Sequence, residues 1–281
     1  MAGSQGLLVR LARTARRVRV PFTADRYAVE VAPAKISHPL REHRPPPFIL
    51  GVCAATTSPP FDASENVMKL TSTSFQHNQQ IPEKYVFGAP DPVLHIRLAD
   101  NHSPHLQWSD VPAGTRSFAL ICVDPDVPSK ADDVNQEGKI VPASLPRVEF
   151  YHWVMVDIPA HVTELPAGAG SSGIVAGGKK ELGGPAGARH GVNDYTAWFA
   201  NDADMKGTYK GYDGPCPPWN DEIVHHYNFT VYALDCERAP VEGDFTGAQV
   251  LEAIRPHILA QATLTGTFSN NPKINAPKPL E

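Results

Sequence analysis

No stretch of the 281 residues approaches the run of about 18 apolar side chains that a membrane-spanning helix needs. Nor is there the apolar h-region of a secretory signal. Cysteine is scarce: Cys53, Cys122, Cys216 and Cys236, with no C-x-x-C and no dense spacing. In a chain of this length that pattern reads as free thiols in a reducing, cytoplasmic compartment. Basic charge is short where it would matter. Residues 68–281 hold sixteen Lys/Arg against twenty-five Asp/Glu, a net of −9. A body this acidic lacks the footprint for sequence-independent nucleic-acid binding, so any anion site must be local. Common catalytic signatures are absent as well: there is no G-x-S-x-G, H-E-x-x-H or P-loop. Gly168–Gly173 matches G-x-G-x-x-G, but it follows Leu-Pro-Ala rather than a strand and opens no helix, so it is not a dinucleotide site.

Turn formers are abundant. Pro 28 and Gly 21 favour short elements and a β-rich chain. Residues 1–67 stand apart, with nine Lys/Arg, five Asp/Glu and arginines at 10, 13, 16, 17 and 19. They read as a targeting presequence, a disordered arm, or an extension upstream of a true start at Met68; the third is preferred because strand-like patterning begins at MKLTSTSF. From there, residues 68–281 form one β-rich domain. Leu94–Leu98 alternates with period two, and SFALICV (117–123) is a buried-strand run that stops at an acidic, proline-stiffened corner, DPDVPS. YHWVMVDI (151–158) and HHYNFTVYA (225–233) are further strands. Thr246-Gly-Ala-Gln249 has the form of a capping box before a short helix that Pro256 interrupts and that resumes through Ile258 and Leu259, and Thr263–Phe268 reads as the last strand.

Period two places His225, Tyr227, Phe229 and Val231 on one face, running from a polar mouth to an apolar core. By the same rule His152, Val154, Val156 and Ile158 share a face. A lone histidine on an apolar face is usually a hydrogen-bonded core residue. Two at strand starts, with a tyrosine and a carboxylate corner, point to a binding site instead.

DPDVPS, YHWVMVDIP and GPCPPWNDEIVHHYNFTVYALD, in this order, resemble the phosphatidylethanolamine-binding protein family, which includes the Raf kinase inhibitor proteins. Leu182–Glu222 is similar to its bacterial branch in particular. The resemblance spans Met68 to about Phe268. It implies an all-β fold, an antiparallel β-sandwich with Greek-key connections and few short helices, and an anion pocket at one end. Carried over, that pocket comprises Asp124, Asp126, Pro128, His152, Gly214, Pro215, Pro217, His225 and Tyr227. Two positions depart from the pattern: Val127 stands where alanine is usual, and His226 where arginine is common. The implied function is non-catalytic binding of a small anionic ligand, phosphate or a phosphorylated headgroup, with modulation of a protein partner such as a kinase. A homodimer is a further expectation; no metal or cofactor is. Histidines 152 and 225 and Tyr227 would donate to the oxyanion while Asp124 orients a histidine, so binding should weaken as pH rises through the ordinary histidine value of about 6.5. The competing readings are a hydrolase or metal enzyme built on His152, His225 and Asp124, with Ser129 or Cys216 as nucleophile, and a pure interaction module with a vestigial pocket.

Overall fold

The computed structural model describes residues 68–275; the N-terminal segment 1–67, Cys53 included, lies outside them. The described chain is mostly strands with few short helices. Its main sheet runs β2 (Gln79–Gln80), β11 (Ile258–Phe268), β10 (His225–Leu234), β6 (Ser117–Pro128), β7 (Arg147–Pro159) and β9 (Arg189–His190). Neighbours pair antiparallel, except that β2 joins β11 in parallel. A smaller sheet is formed by β1 (Lys69–Thr71), β5 (Leu106–Ser109) and β8 (Glu164–Leu165), and β3 (Gly88–Asp91) pairs with β4 (His95–Leu98) as a hairpin.

The opening of β6 is apolar on both faces because both are covered. Phe118, Leu120 and Cys122 join Phe229 and Val231 of β10 in one core, to which the smaller sheet adds Leu70, Leu106, Trp108 and Leu165. Ala119 and Ile121 enter a second core with Val154, Val156, Phe245, Val250 and Ile254. Each large side chain so buried contributes roughly 1.5–3 kcal/mol of transfer free energy. Tyr195 belongs to a third cluster and sits on the one-turn helix α1 (Tyr195–Trp198). Helix α2 (Gly247–Ile254) supplies Val250 and Ile254, and it starts where Thr246 and Gln249 cap each other's backbone. It does not resume after Pro256. A 3-10 turn, Arg255–His257, leads into β11 at Ile258, whose partner is Leu234, so the last strand begins five residues before Thr263.

Two further corrections concern the strands that carry the site. DPDVP is not a corner after β6 but its continuation, bulged between Asp124 and Val127 where Pro125 has no N–H to donate. On β7 the simple alternation fails. Cys122 pairs with Trp153 and Val123 with Tyr151, so His152 is the extra residue of a bulge. Tyr151 consequently enters the second core while Trp153 enters the first. A second bulge, with Asp157 at φ 60°, turns Ile158 into the first core as well. His152 therefore leaves the face of Val154 and Val156 and packs with Phe150, Tyr195 and Tyr227.

Candidate functional site

The start of β10 meets the middle of β6 in antiparallel register, and this brings His225 to Asp124 across 101 positions of sequence. His225 Nδ1 lies 2.7 Å from Asp124 Oδ2, and Nε2 lies 3.2 Å from Asp221 Oδ2. Carboxylates only accept, so satisfying both requires both ring nitrogens to carry protons. Asp221 also takes a two-pronged contact from Arg147, at 2.6 and 3.0 Å. Asp124 Oδ1 accepts from the Asp126 N–H at 2.7 Å. Two acids and two cations thus neutralise one another in a place with almost no solvent: His225, Asp124 and Asp221 are at most 1% exposed.

His152 is as buried as His225 yet electrically its opposite. Its Nδ1 donates to the Asp213 carbonyl at 2.7 Å, which fixes the neutral tautomer with Nε2 as acceptor. Burial holds its pKa below 6.5 against the pull of Asp124. Burial acts on His225 in the same direction, but there the Asp124 and Asp221 carboxylates prevail and raise it to about 9. Between these histidines stands Tyr227. Its ring meets His152 edge-on, with centroids 5.2 Å apart. Its hydroxyl is fully buried and makes no well-formed hydrogen bond, although the Asp124 carboxylate is near enough to attract it. Burial first, and then Asp124, keeps that hydroxyl protonated by moving its pKa well above 10. Leaving such a donor unsatisfied costs about 1–3 kcal/mol.

The proline loop is held in place by its carbonyls. Gly214 O accepts from Tyr195 Oη at 2.7 Å, Pro215 O from the Phe87 and Gly88 amides, and Pro217 O from Asn270 Nδ2. Gly214 N–H donates to Asn101 Oδ1, and a Cβ at Gly214 would stand 2.3 Å from the Tyr85 carbonyl, so only glycine fits. One residue earlier, the Asp213 carboxylate binds Asn101, Asn193 and the buried Lys179. This network orients His152, because the carbonyl to which His152 Nδ1 donates belongs to Asp213.

Of the residues singled out from sequence, Asp124, His152, His225, Tyr227 and the backbone around Gly214 converge. Asp126 does not join them: its carboxylate binds the backbone and ring of His226 on the exposed side of β10. Pro128 ends β6 opposite Arg147, and Pro215 and Pro217 serve as anchors. The mouth imagined at His225 is closed, since His225 is fully buried. Trp219 stacks on His95, with centroids 4.0 Å apart. Sequence reasoning overlooked Asp221, Arg147, Asp213 and Tyr195. Asp221 lies in Asn220-Asp221-Glu222, four residues before His225, a spacing that could have drawn attention to it.

Known proteins share this framework. Residues 71–269 match the family model for phosphatidylethanolamine-binding protein. The UPF0098 protein YbhB of Escherichia coli (strain K12) is 35% identical over 202 residues, covering 72% of this chain and all of that one. YbcL of the same organism is 32% identical over 208 residues, covering 74% of this chain and 91% of that one. The crystal structure of YbcL, described as a new member of the mammalian PEBP family, superposes with a TM-score of 0.52 at 31% identity, covering 72% of this chain and 98% of that one. On the family match and these relatives together, the chain belongs to the phosphatidylethanolamine-binding protein family.

Proposed function

We propose that this protein binds a small phosphate- or phosphoryl-bearing anion at the corner formed by His152 and Tyr227, without turning it over. The observation that carries the reading is the Tyr227 hydroxyl, a fully buried donor with no well-formed hydrogen bond beside a neutral imidazole. A singly protonated phosphate suits that pair: one oxygen accepts from Tyr227, and the P–OH donates to His152 Nε2. The Asp124 carboxylate nearby disfavours a dianion. His225 has no free ring nitrogen and does not touch the ligand; with Asp124, Asp221 and Arg147 it holds the floor. The two-layer sandwich with Greek-key connections is the matching reading of the fold, supported by the core that the smaller sheet shares with the main one.

A binder rather than a hydrolase is favoured by the nucleophiles at hand. Burial pushes the Cys216 thiol up to about 12, and Ser129 lies at the β6–β7 connection with its amide bonded to the Pro146 carbonyl. Action in a reducing compartment is supported by Cys122, Cys216 and Cys236, all free. No helix among the described residues is long and apolar enough to cross a membrane.

Calorimetric titration with inorganic phosphate tests the reading. Affinity should fall from pH 6 to pH 8 because the ligand loses its proton. The histidines contribute little to that slope, since His152 lies below 6.5 and His225 near 9. Sulfate, with no proton to give in this range, should bind more weakly and with no pH slope. Tyr227→Phe should lose phosphate binding. Unchanged affinity in Tyr227→Phe would overturn the assignment.

A further inference from the structure

We propose that Asp235, Cys236 and His257 form a site for a divalent transition-metal ion of the zinc class. It lies at the opposite end of β10 from the anion corner: Asp235 is eight residues beyond Tyr227, about 26 Å along the strand. A carboxylate oxygen, the thiol sulfur and a ring nitrogen of these residues all lie within 4.8 Å of one another. Donors bound to a tetrahedral ion at roughly 2.0–2.3 Å stand about 3.3–3.7 Å apart, so closure needs only side-chain rotation of about an ångström. The donor types decide the ion class. Sulfur, imidazole and a single carboxylate suit zinc, cobalt or nickel and not calcium or magnesium, which take oxygen sets.

The backbone already holds the three residues in register. Asp235 and Cys236 follow the last residue of β10, and His257 precedes the first residue of β11, which pairs with it. The Asp235 N–H donates to the His257 carbonyl at 3.0 Å, and Ser117 Oγ donates to the Cys236 carbonyl at 2.6 Å. His257 Nδ1 lies 2.8 Å from Asp235 Oδ1, so the ring and the carboxylate already meet, and the ion would take the place of the proton between them. Asp235 is exposed and the other two are half-buried, which leaves a path for the ion and a fourth position for water. The charged groups nearby are Arg116, Glu237 and Asp157, and Arg116 engages Glu237 at 2.7 Å. Burial and Asp235 raise the Cys236 thiol above its usual value, so it is a poor nucleophile when free and must release a proton to the solvent as the metal–sulfur bond forms. The other described thiols, Cys122 and Cys216, have no such company.

Cobalt(II) added to the full chain near neutral pH is the test. One equivalent should produce a thiolate-to-cobalt charge-transfer band with the d–d absorption of a four-coordinate ion, and zinc should erase both. Cys236→Ser should abolish the band, and Cys216→Ser should leave it. His257→Ala should weaken binding by more than the roughly 10–100-fold that loss of an outer-sphere partner costs. In the unmodified protein, zinc should shield Cys236 from alkylation, as read by peptide mass spectrometry; this needs no variant to fold. Absence of the band, its persistence in Cys236→Ser, or alkylation of Cys236 unaffected by zinc would each overturn the proposal.

Discussion

Strand β10 has an aspartate–histidine pair at each end, and the two pairs are almost equal in length. His225 lies 2.7 Å from Asp124, and His257 lies 2.8 Å from Asp235. Their surroundings could hardly differ more. The first pair has side chains 1% and 2% exposed, and the second 35% and 50%. In the dry pair the field of Asp124 and Asp221 overcomes the cost of burial and keeps His225 charged up to about pH 9. In the wet pair, water and salt screen the attraction, and such pairs contribute about 0–1 kcal/mol. Distance alone therefore says little about what an ion pair does. Burial decides whether it is a structural clamp or a labile arrangement open to another ligand.

The sharpest way to break this contrast is to remove one acid from each pair. Asp124→Ala strands a buried cation and should cost about 3–5 kcal/mol in urea unfolding at pH 7. If it cost no more than a surface change, the clamp would not exist. Next comes pH. Because the folded value of His225 is raised above 6.5, its contribution is complete below about pH 6.5 and is lost as pH rises through about 9. Unfolding at pH 7 and pH 10 should differ by about 3 kcal/mol from this group, and the difference should shrink in Asp124→Asn. Tyr227→Phe should stabilise the free protein by about 1 kcal/mol, since it removes an unpaired buried hydroxyl; a loss of stability would mean that the hydroxyl is already satisfied. Smallest is Asp235→Ala, expected to change stability by at most about 1 kcal/mol in the same assay.

Much of this is legible in the sequence alone. The continuous run of β6, the alternation along β10 and the cap at Thr246 are local patterns, and local patterns are what a sequence displays. The meeting of Asp124, His152, His225 and Tyr227 was reached by resemblance. What escaped was what depends on register. The bulge that places His152 beside Tyr227 arises because β6 has one residue fewer than β7 between Cys122 and Val123, and nothing in YHWVMV announces it. In the sequence, Asp221 and Arg147 are an ordinary loop acid and an ordinary strand-end cation. Only the folded chain puts them 2.6 Å apart and against His225. Asp126 stands two residues from Asp124 in the same motif, yet its carboxylate binds His226 on the exposed side.

A crystal structure grown with phosphate would test the central claim most directly. The account predicts tetrahedral density within hydrogen-bond reach of Tyr227 Oη and His152 Nε2, with His225 still clasped between Asp124 and Asp221. Phosphate found only elsewhere on the surface, with the His152–Tyr227 corner closed on itself, would contradict it.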